Sequence, residues 1–345
     1  MGGGKIIPPS RKGTRSPAGR SETALWPLGP NAVSAGVVGV GENSLDCIQV
    51  VETWPEPGGK IEPVASTTSP GGQMTTALLG CARLGLRAAY LGAVGEDAAA
   101  DLVLQPLERA GVDISRVQRV REARTRSAVI LVRAGDGERS VLAGGEPIPR
   151  LALDALDRRT VAQAGLLHVD ASDPDAARWA ARIAREAGVP VVLDVDRPGE
   201  GIEALIALAD FPVVSEAFVR APGGTGALAG GLAKLAAGRP RLAVVTRGAR
   251  GAIARHGEDE IHSPAIRVDV RDTTGAGDAF HAGLIWALFQ GYGAQRALRA
   301  ANTVAGLSCR AAGAQAGLPD EETVRDRLSR EAVPPAAQPT PEQAQ

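Results

Sequence analysis

From Gly165 to Thr246 short, continuously apolar runs alternate with longer helical stretches, and that rhythm leaves few folds open. Gly165–Val169, Val189–Asp194, Phe211–Val214 and Arg241–Thr246 read as strands, with helices at 174–187, 201–208 and 226–237. Strands that are apolar on both faces belong in a parallel sheet covered by helices on each side. Residues 36–41, Gly-Val-Val-Gly-Val-Gly, supply a buried first strand. In an open parallel sheet, ligands bind at the carboxyl ends of the strands.

The stretch that follows the first strand has a different texture. Cys47–Val51 and Lys60–Ala65 are short alternating segments separated by Pro55, Pro57, Gly58 and Gly59, which predicts a β excursion from the main sheet. Pro70-Gly71-Gly72 breaks the chain before a helix at Gln73–Leu84, a strand at Ala88–Ala93 and a helix at Asp97–Ala110. Ser127–Val132 and Arg139–Ala143 form a hairpin across Ala134–Gly137. After one more short β stretch the chain closes with helices at about 276–290, 294–312 and 320–329. The expected architecture is α/β: a doubly wound, mostly parallel sheet flanked by helices, with a small β-sheet lid made from segments about 46–69 and 125–143. This domain is expected over 33–331, between a disordered leader (1–32) and a disordered tail (332–345), both rich in polar residues, Pro or Gly.

Composition narrows the function. Hydrophobic residues make up 44% of the 345, but aromatics only 3%, so the core must be built from Ala, Val and Leu. A formal charge of -1 provides no basic field for nucleic acid or anionic membrane. No apolar run reaches the ~18 residues of a spanning helix. Cys47, Cys81 and Cys309 are few, odd in number and far apart, which fits a reducing cytoplasm and neither a disulfide framework nor a zinc cluster.

Chemistry concentrates in Asp272-Thr273-Thr274-Gly275-Ala276-Gly277-Asp278-Ala279-Phe280-His281-Ala282-Gly283. A polar turn and two glycines lead into a helical pattern with an acid on its first turn. Small residues let an anion approach bare amides at the positive end of the helix dipole. Asp278 would stand beside that anion, where an attacking hydroxyl needs a base. Dinucleotide-binding and P-loop readings fail: Gly39-Val40-Gly41 lacks the third glycine, and no Gly-x4-Gly-Lys-Ser/Thr occurs.

Asp272–Gly283 resembles the C-terminal signature of the PfkB, or ribokinase-like, carbohydrate kinases. Supporting segments occur in the family's order: Gly71-Gly72, Ala82–Gly85 with Leu91–Asp97, Gly111-Val112-Asp113, Val244–Gly248 and Gly313–Pro319. The similarity spans about 36–330. It implies a ribokinase-like fold and an ATP-dependent phosphotransferase acting on a hydroxyl of a sugar or sugar-like molecule, with Mg²⁺ on the nucleotide. Under it, Asp278 is the catalytic base and Gly275, Ala276 and Gly277 form the anion hole. Thr246, Gly248, Asn302 and Ser215 fall on the nucleotide side, and Asp46, Gly71, Gly72, Thr76 and Asp170 on the acceptor side. Asp170 reads equally well as a cap on the next helix. Asp272 and Thr274, with the Gly313–Gly317 turn, match the pieces that hold a monovalent cation, commonly K⁺. The resemblance also implies a homodimer joined through the lid, and the cysteine count a cytoplasmic enzyme. Arg139, in the hairpin, reads either as a solvated surface arginine, the usual case, or as one that reaches an anionic substrate.

Two departures matter. Thr76 stands where the family commonly has a sugar-contacting Asn, and Ser215-Glu216-Ala217-Phe218 replaces its Asn-x-x-Glu. A nucleoside kinase of the same fold and a non-catalytic ligand-binding relative remain the alternatives.

Overall fold

The apolar runs become strands with both faces covered. The computed structural model describes residues 23–27, 35–135, 139–144, 149–222, 224, 226–238 and 240–332. Among these, the main sheet has eight strands. Six are parallel, in the spatial order β12 (Ala243–Thr246), β11 (Phe211–Ser215), β10 (Val191–Val195), β9 (Leu166–Asp170), β1 (Val37–Val40) and β4 (Ala88–Leu91). An antiparallel hairpin, β13 (Ala252–His256) and β14 (Asp259–Ser263), extends the β12 edge.

Successive residues of each strand enter opposite apolar layers, as a period of two requires. Leu166, Val192 and Val244 face one layer, with α1 (Gln73–Arg83), α2 (Ala98–Arg109), α8 (Ala276–Phe289), α9 (Ala294–Ser308) and α10 (Glu321–Ala332). Leu167, Leu193 and Val245 face the other, with α3 (Ala155–Ala162), α4 (Pro174–Ala187), α5 (Ile202–Ile206), α6 (Glu216–Arg220) and α7 (Leu228–Ala236). With so few rings, the layers close through small residues. A Cβ on Gly80 of α1 would lie 2.6 Å from the Ala282 methyl of α8, and one on Gly283 would lie 2.8 Å from Ala301 Cα of α9. The helix that starts at the glycine signature is thereby locked between two others, and its residues from Ala279 to Phe289 are all buried.

A four-stranded lid stands over the carboxyl edge: β3 (Ala65–Gly71), β2 (Ser44–Val51), β7 (Ser127–Arg133) and β8 (Arg139–Gly144). Asp46, Ile48, Ala128, Ile130 and Val141 share its inner face by register, while Val129 and Leu142 pair on the exposed outer face. β5 (Ala93–Gly95) and β6 (Gln118–Val120) form a separate pair. Asp97 caps α2, accepting from the Ala100 amide at 3.0 Å and from the Thr125 amide and hydroxyl at 2.8 and 2.7 Å. Burial alone would raise this carboxyl, but the Thr125 and Ala100 bonds outweigh it and hold it below the usual range. Its stabilisation is therefore present at neutral pH and lost as pH falls through the folded-state value. Asp97→Ala is expected to cost about 1–2 kcal/mol at neutral pH by denaturant unfolding, and less in acid.

Several expectations need correction. Residues 60–64 are exposed coil, and the strand runs instead over Ala65–Gly71, through Pro70. β3 is an edge strand, so a proline that donates no hydrogen bond is tolerated there. The strand expected at Ala88–Ala93 divides at Gly92, where a Cβ would lie 2.1 Å from the Tyr90 ring. The last long helix stops at Ser308 rather than 312. α3 has no counterpart in the sequence reading; its capping box uses Asp154 and Asp157. Within the expected leader, residues 23–27 dock on the core: Leu25 is buried and its amide bonds to the Tyr292 carbonyl at 3.2 Å. The rest of that leader, the tail beyond 332 and the hairpin tip at 136–138 lie outside the described residues.

Candidate active site

The chain reverses its direction of winding at β1, with β4 on one side and β9 on the other, so a crevice opens at the ends of β1 and β9. Asp170 closes β9 and is fully buried. Its Oδ2 accepts the Glu42 amide at 2.7 Å, and its Oδ1 accepts the Ser172 amide and hydroxyl at 2.9 and 2.5 Å. A Cβ on Gly41 would lie 2.0 Å from Asp170 Oδ2, so glycine is what allows this clamp. Asp170 thus ties the ends of β1 and β9 together, with its oxygens already engaged.

Asp46 points inward from β2, buried, with Ser44 Oγ donating to its Oδ1 at 2.7 Å. Burial pushes its carboxyl upward, and the Ser44 bond offsets only part of that. Gly71 gives it room, because a Cβ there would sit 2.1 Å from Asp46 Oδ2. Gly72 has φ 95° and precedes α1; a Cβ would lie 2.6 Å from Asn43 Cα. The glycine pair therefore lets the start of α1 press against the end of β1. Thr76, on α1, is completely buried and its hydroxyl has no hydrogen-bond partner.

Opposite these residues, Gly275 takes a left-handed conformation (φ 76°) and starts α8, with no side chain capping the helix. Asp272 braces the approach, accepting the Thr274 and Gly313 amides, each at 2.8 Å, on separate carboxylate oxygens. The Cys309 carbonyl, just past the end of α9, also accepts the Arg271 and Asp272 amides at 2.8 and 3.2 Å. Thr274 Oγ1 is buried without a partner. Arg139 of the lid donates to Thr273 Oγ1 at 3.2 Å and so joins lid to loop. Asp46, Gly72, Thr274, Gly275 and Asp278 line one cleft, which holds about 860 Å³ of empty space open to solvent.

Asp278 is half-buried in this cleft on the first turn of α8. Loss of solvent pushes its carboxyl well above the usual range, and the charges of Asp194, Glu42, Asp170 and Asp196 push it further. Glu42 is raised to about 7: burial and Asp170 outweigh Arg126, although Arg126 Nε lies 2.5 Å away. Asp170 is raised to about 6, chiefly by burial. Sequence reasoning missed Glu42, Arg126, Asp194, Asp196, Arg197 and His281. A usable signal was present, since Asp194 and Asp196-Arg197 sit at the end of an apolar strand where a parallel sheet places its ligands.

The expected nucleotide residues lie further along the same edge. Ser215 and Thr246 are register partners at the ends of β11 and β12. Ser215 Oγ caps α6 through the Phe218 amide at 3.0 Å. Glu216 is enclosed by arginines: Arg220 Nη2 at 2.7 Å, Arg250 Nη2 in contact and Arg247 Nε at 3.9 Å. Gly248 has φ 54°, and a Cβ there would meet nothing within 4 Å. Asn302 is buried and donates to Ser263 O and Oγ at 3.0 and 2.9 Å, joining α9 to β14. Among the described residues no three acids, histidines or cysteines converge as a metal site, and no helix is long and apolar enough to cross a membrane.

A glycine-started helix, a half-buried carboxylate and a β lid thus come together over the winding reversal. The model of the pfkB family of carbohydrate kinases matches residues 34–321. The chain belongs to the pfkB family. Ribokinase of Bacillus subtilis (strain 168) is 27% identical to it over 294 residues, covering 84% of this chain and 98% of that protein. ATP-dependent ribose-1-phosphate kinase of Halopiger xanaduensis is 30% identical over 311 residues, covering 85% and 98%. The structure of Arabidopsis thaliana ribokinase complexed with ribose and ATP matches with a TM-score of 0.74 at 27% identity, covering 85% of this chain and 98% of that one. These matches bear out the ribokinase-like fold and the carbohydrate-kinase family expected from the glycine signature.

Proposed function

We propose that this pfkB-family protein is an ATP-dependent phosphotransferase acting on a hydroxyl of a sugar or sugar-like molecule, with Asp278 as base. The observation that carries this is the placement of Asp278. It stands on the first turn of an uncapped, glycine-started helix, inside a cleft covered by the lid. In this reading an acceptor hydroxyl lies against Asp278, which takes its proton as the phosphoryl group arrives. The amides of Gly275, Ala276 and Gly277 receive the negative charge of the transferring group, aided by the helix dipole. Asp46, Gly71 and Gly72 hold the acceptor, with Thr76 in the wall behind them. A carboxylate suits sugar hydroxyls because it can accept from two at once. Asp170 contributes by fixing the ends of β1 and β9.

The nucleotide lies toward Thr246, Gly248, Ser215 and Asn302, with Asn302 acting through β14 and Ser215 through α6. With ATP bound, Mg²⁺ would supply shielding of the phosphate charge. Glu216, enclosed by its arginines, is a poor ligand for it. The unpartnered Thr274 oxygen beside Asp272 fits a monovalent cation such as K⁺, which initial rates in potassium and tetramethylammonium salts would check. The exposed Val129–Leu142 face of the lid supports a homodimer, which sedimentation would check. Three free cysteines agree with a cytoplasmic setting.

The deciding experiment measures Mg²⁺-dependent ADP release from purified protein over a panel of sugars, sugar acids and nucleosides. No turnover with any acceptor would favour a non-catalytic relative, and preference for nucleosides would shift the acceptor class. For the acceptor found, Asp46→Asn is expected to raise KM about 10–100-fold, as a charged hydrogen bond is lost, with the KM for ATP unchanged.

A further inference from the structure

Beneath Asp278 lies a layer of polar side chains with no part in the chemistry so far assigned. Asp194 is the next-to-last residue of β10 and is buried. Its Oδ1 lies 3.2 Å from His281 Nε2, and its Oδ2 accepts from Gln73 Nε2 at 3.4 Å. Gln73 opens α1 directly after the glycine pair, and His281 follows Asp278 by one helical turn. Asp194 therefore touches both the helix that starts the acceptor wall and the helix that carries the base. The His281 ring stacks on His168 with centroids 5.0 Å apart and planes 24° apart. His168 Nδ1 lies 3.2 Å from the Val192 carbonyl; burial and then His281 push its pKa down to about 3, so it is a neutral platform. His281 Nδ1 has no hydrogen-bond partner, which leaves Asp194 as the polar contact that orients the ring.

A buried carboxylate is costly unless paired, and this one is paired beside another acid. Burial would raise Asp194, but the nearby His281 outweighs it and holds the carboxyl below the usual range. The other charged groups around Asp278 are otherwise engaged. Glu42 pairs with Arg126, Asp170 is bonded to Ser172 and the Glu42 amide, and Asp196 faces Arg197 at the mouth. After loss of solvent, Asp194 exerts the largest upward influence on Asp278.

We propose that Asp194 and His281 are positioning residues for Asp278, and that this contacting pair governs the pH at which Asp278 becomes a competent base. This rests on Asp278 being the base. The test is the pH profile of kcat for wild type, Asp194→Asn and His281→Gln, each confirmed as folded by thermal unfolding and saturated with substrates. Asp194→Asn keeps an acceptor for His281 but removes a negative charge, so the acidic limb is expected to move down by about one pH unit. One unit below the wild-type midpoint, the variant then retains about a fivefold larger fraction of its own maximum rate. His281→Gln keeps a donor for Asp194 but removes the imidazole that holds the Asp194 carboxyl down, so the limb moves up. A merely structural role would lower rates without shifting the two limbs in opposite senses. Limbs that coincide with wild type, or that move together, overturn the proposal; if one variant does not fold, the sign of the other decides. Full activity in Asp278→Asn would instead remove the base itself, so the two failures are distinguishable.

Discussion

Asp278→Asn is expected to lower turnover about 10²–10⁴-fold while leaving the fold in place. The amide fills nearly the same volume on the first turn of α8 and still presents polar atoms to the cleft, but it cannot take a proton. Stability should move in the opposite direction to activity. Asp278 has a folded-state pKa raised by loss of solvent and by Asp194, Glu42, Asp170 and Asp196. An acid whose pKa is raised on folding destabilises the folded chain at any pH above its unfolded value, neutral pH included. Below the unfolded value of about 3.9, the acid is protonated in both states and the effect vanishes. The Asn variant is therefore expected to show a higher Tm than wild type at pH 7, with the difference shrinking toward acid, as for an active site that trades stability for chemistry. Rates from coupled ADP release, with thermal unfolding at two pH values, check both halves. Wild-type turnover in a folded variant that binds ATP would end the proposed mechanism.

Much of this frame was legible because burial on both faces leaves its mark in sequence. Leu166–Val169 and Val191–Leu193 are apolar at every position or broken only by His168, and the structure buries each of them. The start of α8 was legible because few arrangements need a left-handed glycine, small residues and an acid in that order. β3 was not, for the converse reason. Ser66, Thr67 and Thr68 are exposed and held by pairing with β2 rather than by burial, so no apolar pattern marks them. Asn302 and Ser215 show the limit of reading residue identity. Both stand on the expected edge, yet one bonds to Ser263 and the other caps α6, facts fixed by side-chain direction. Asp194 and His281 lie far apart in sequence and meet only through the crossing of β10 and α8.

A paired substitution in the glycine signature should separate the fold of the anion hole from its use. Gly275 holds φ 76°, and a Cβ there would stand 2.7 Å from the Ala314 carbonyl oxygen. Gly275→Ala must therefore strain the turn or push back the Gly313–Gly317 segment, at a cost of about 1–3 kcal/mol. Displacing the first turn of α8 also misaims the amides, for which turnover is expected to fall about 10²–10³-fold. Gly277, by contrast, lies within the helix, and a Cβ there would meet nothing within 4 Å. Gly277→Ala is expected to leave stability unchanged or raise it by up to about 1 kcal/mol, since alanine favours a helix. Its methyl nevertheless projects into open space beside the amides, where the transferring group must come close. Turnover should fall in Gly277→Ala without any loss of Tm, whereas Gly275→Ala should lose both. Chemical denaturation and kcat on the same preparations read the contrast. A Gly277→Ala enzyme with wild-type kcat would mean that the phosphoryl group does not pass over this face of the helix, and the anion hole would have to be placed nearer to Gly275 and Ala276.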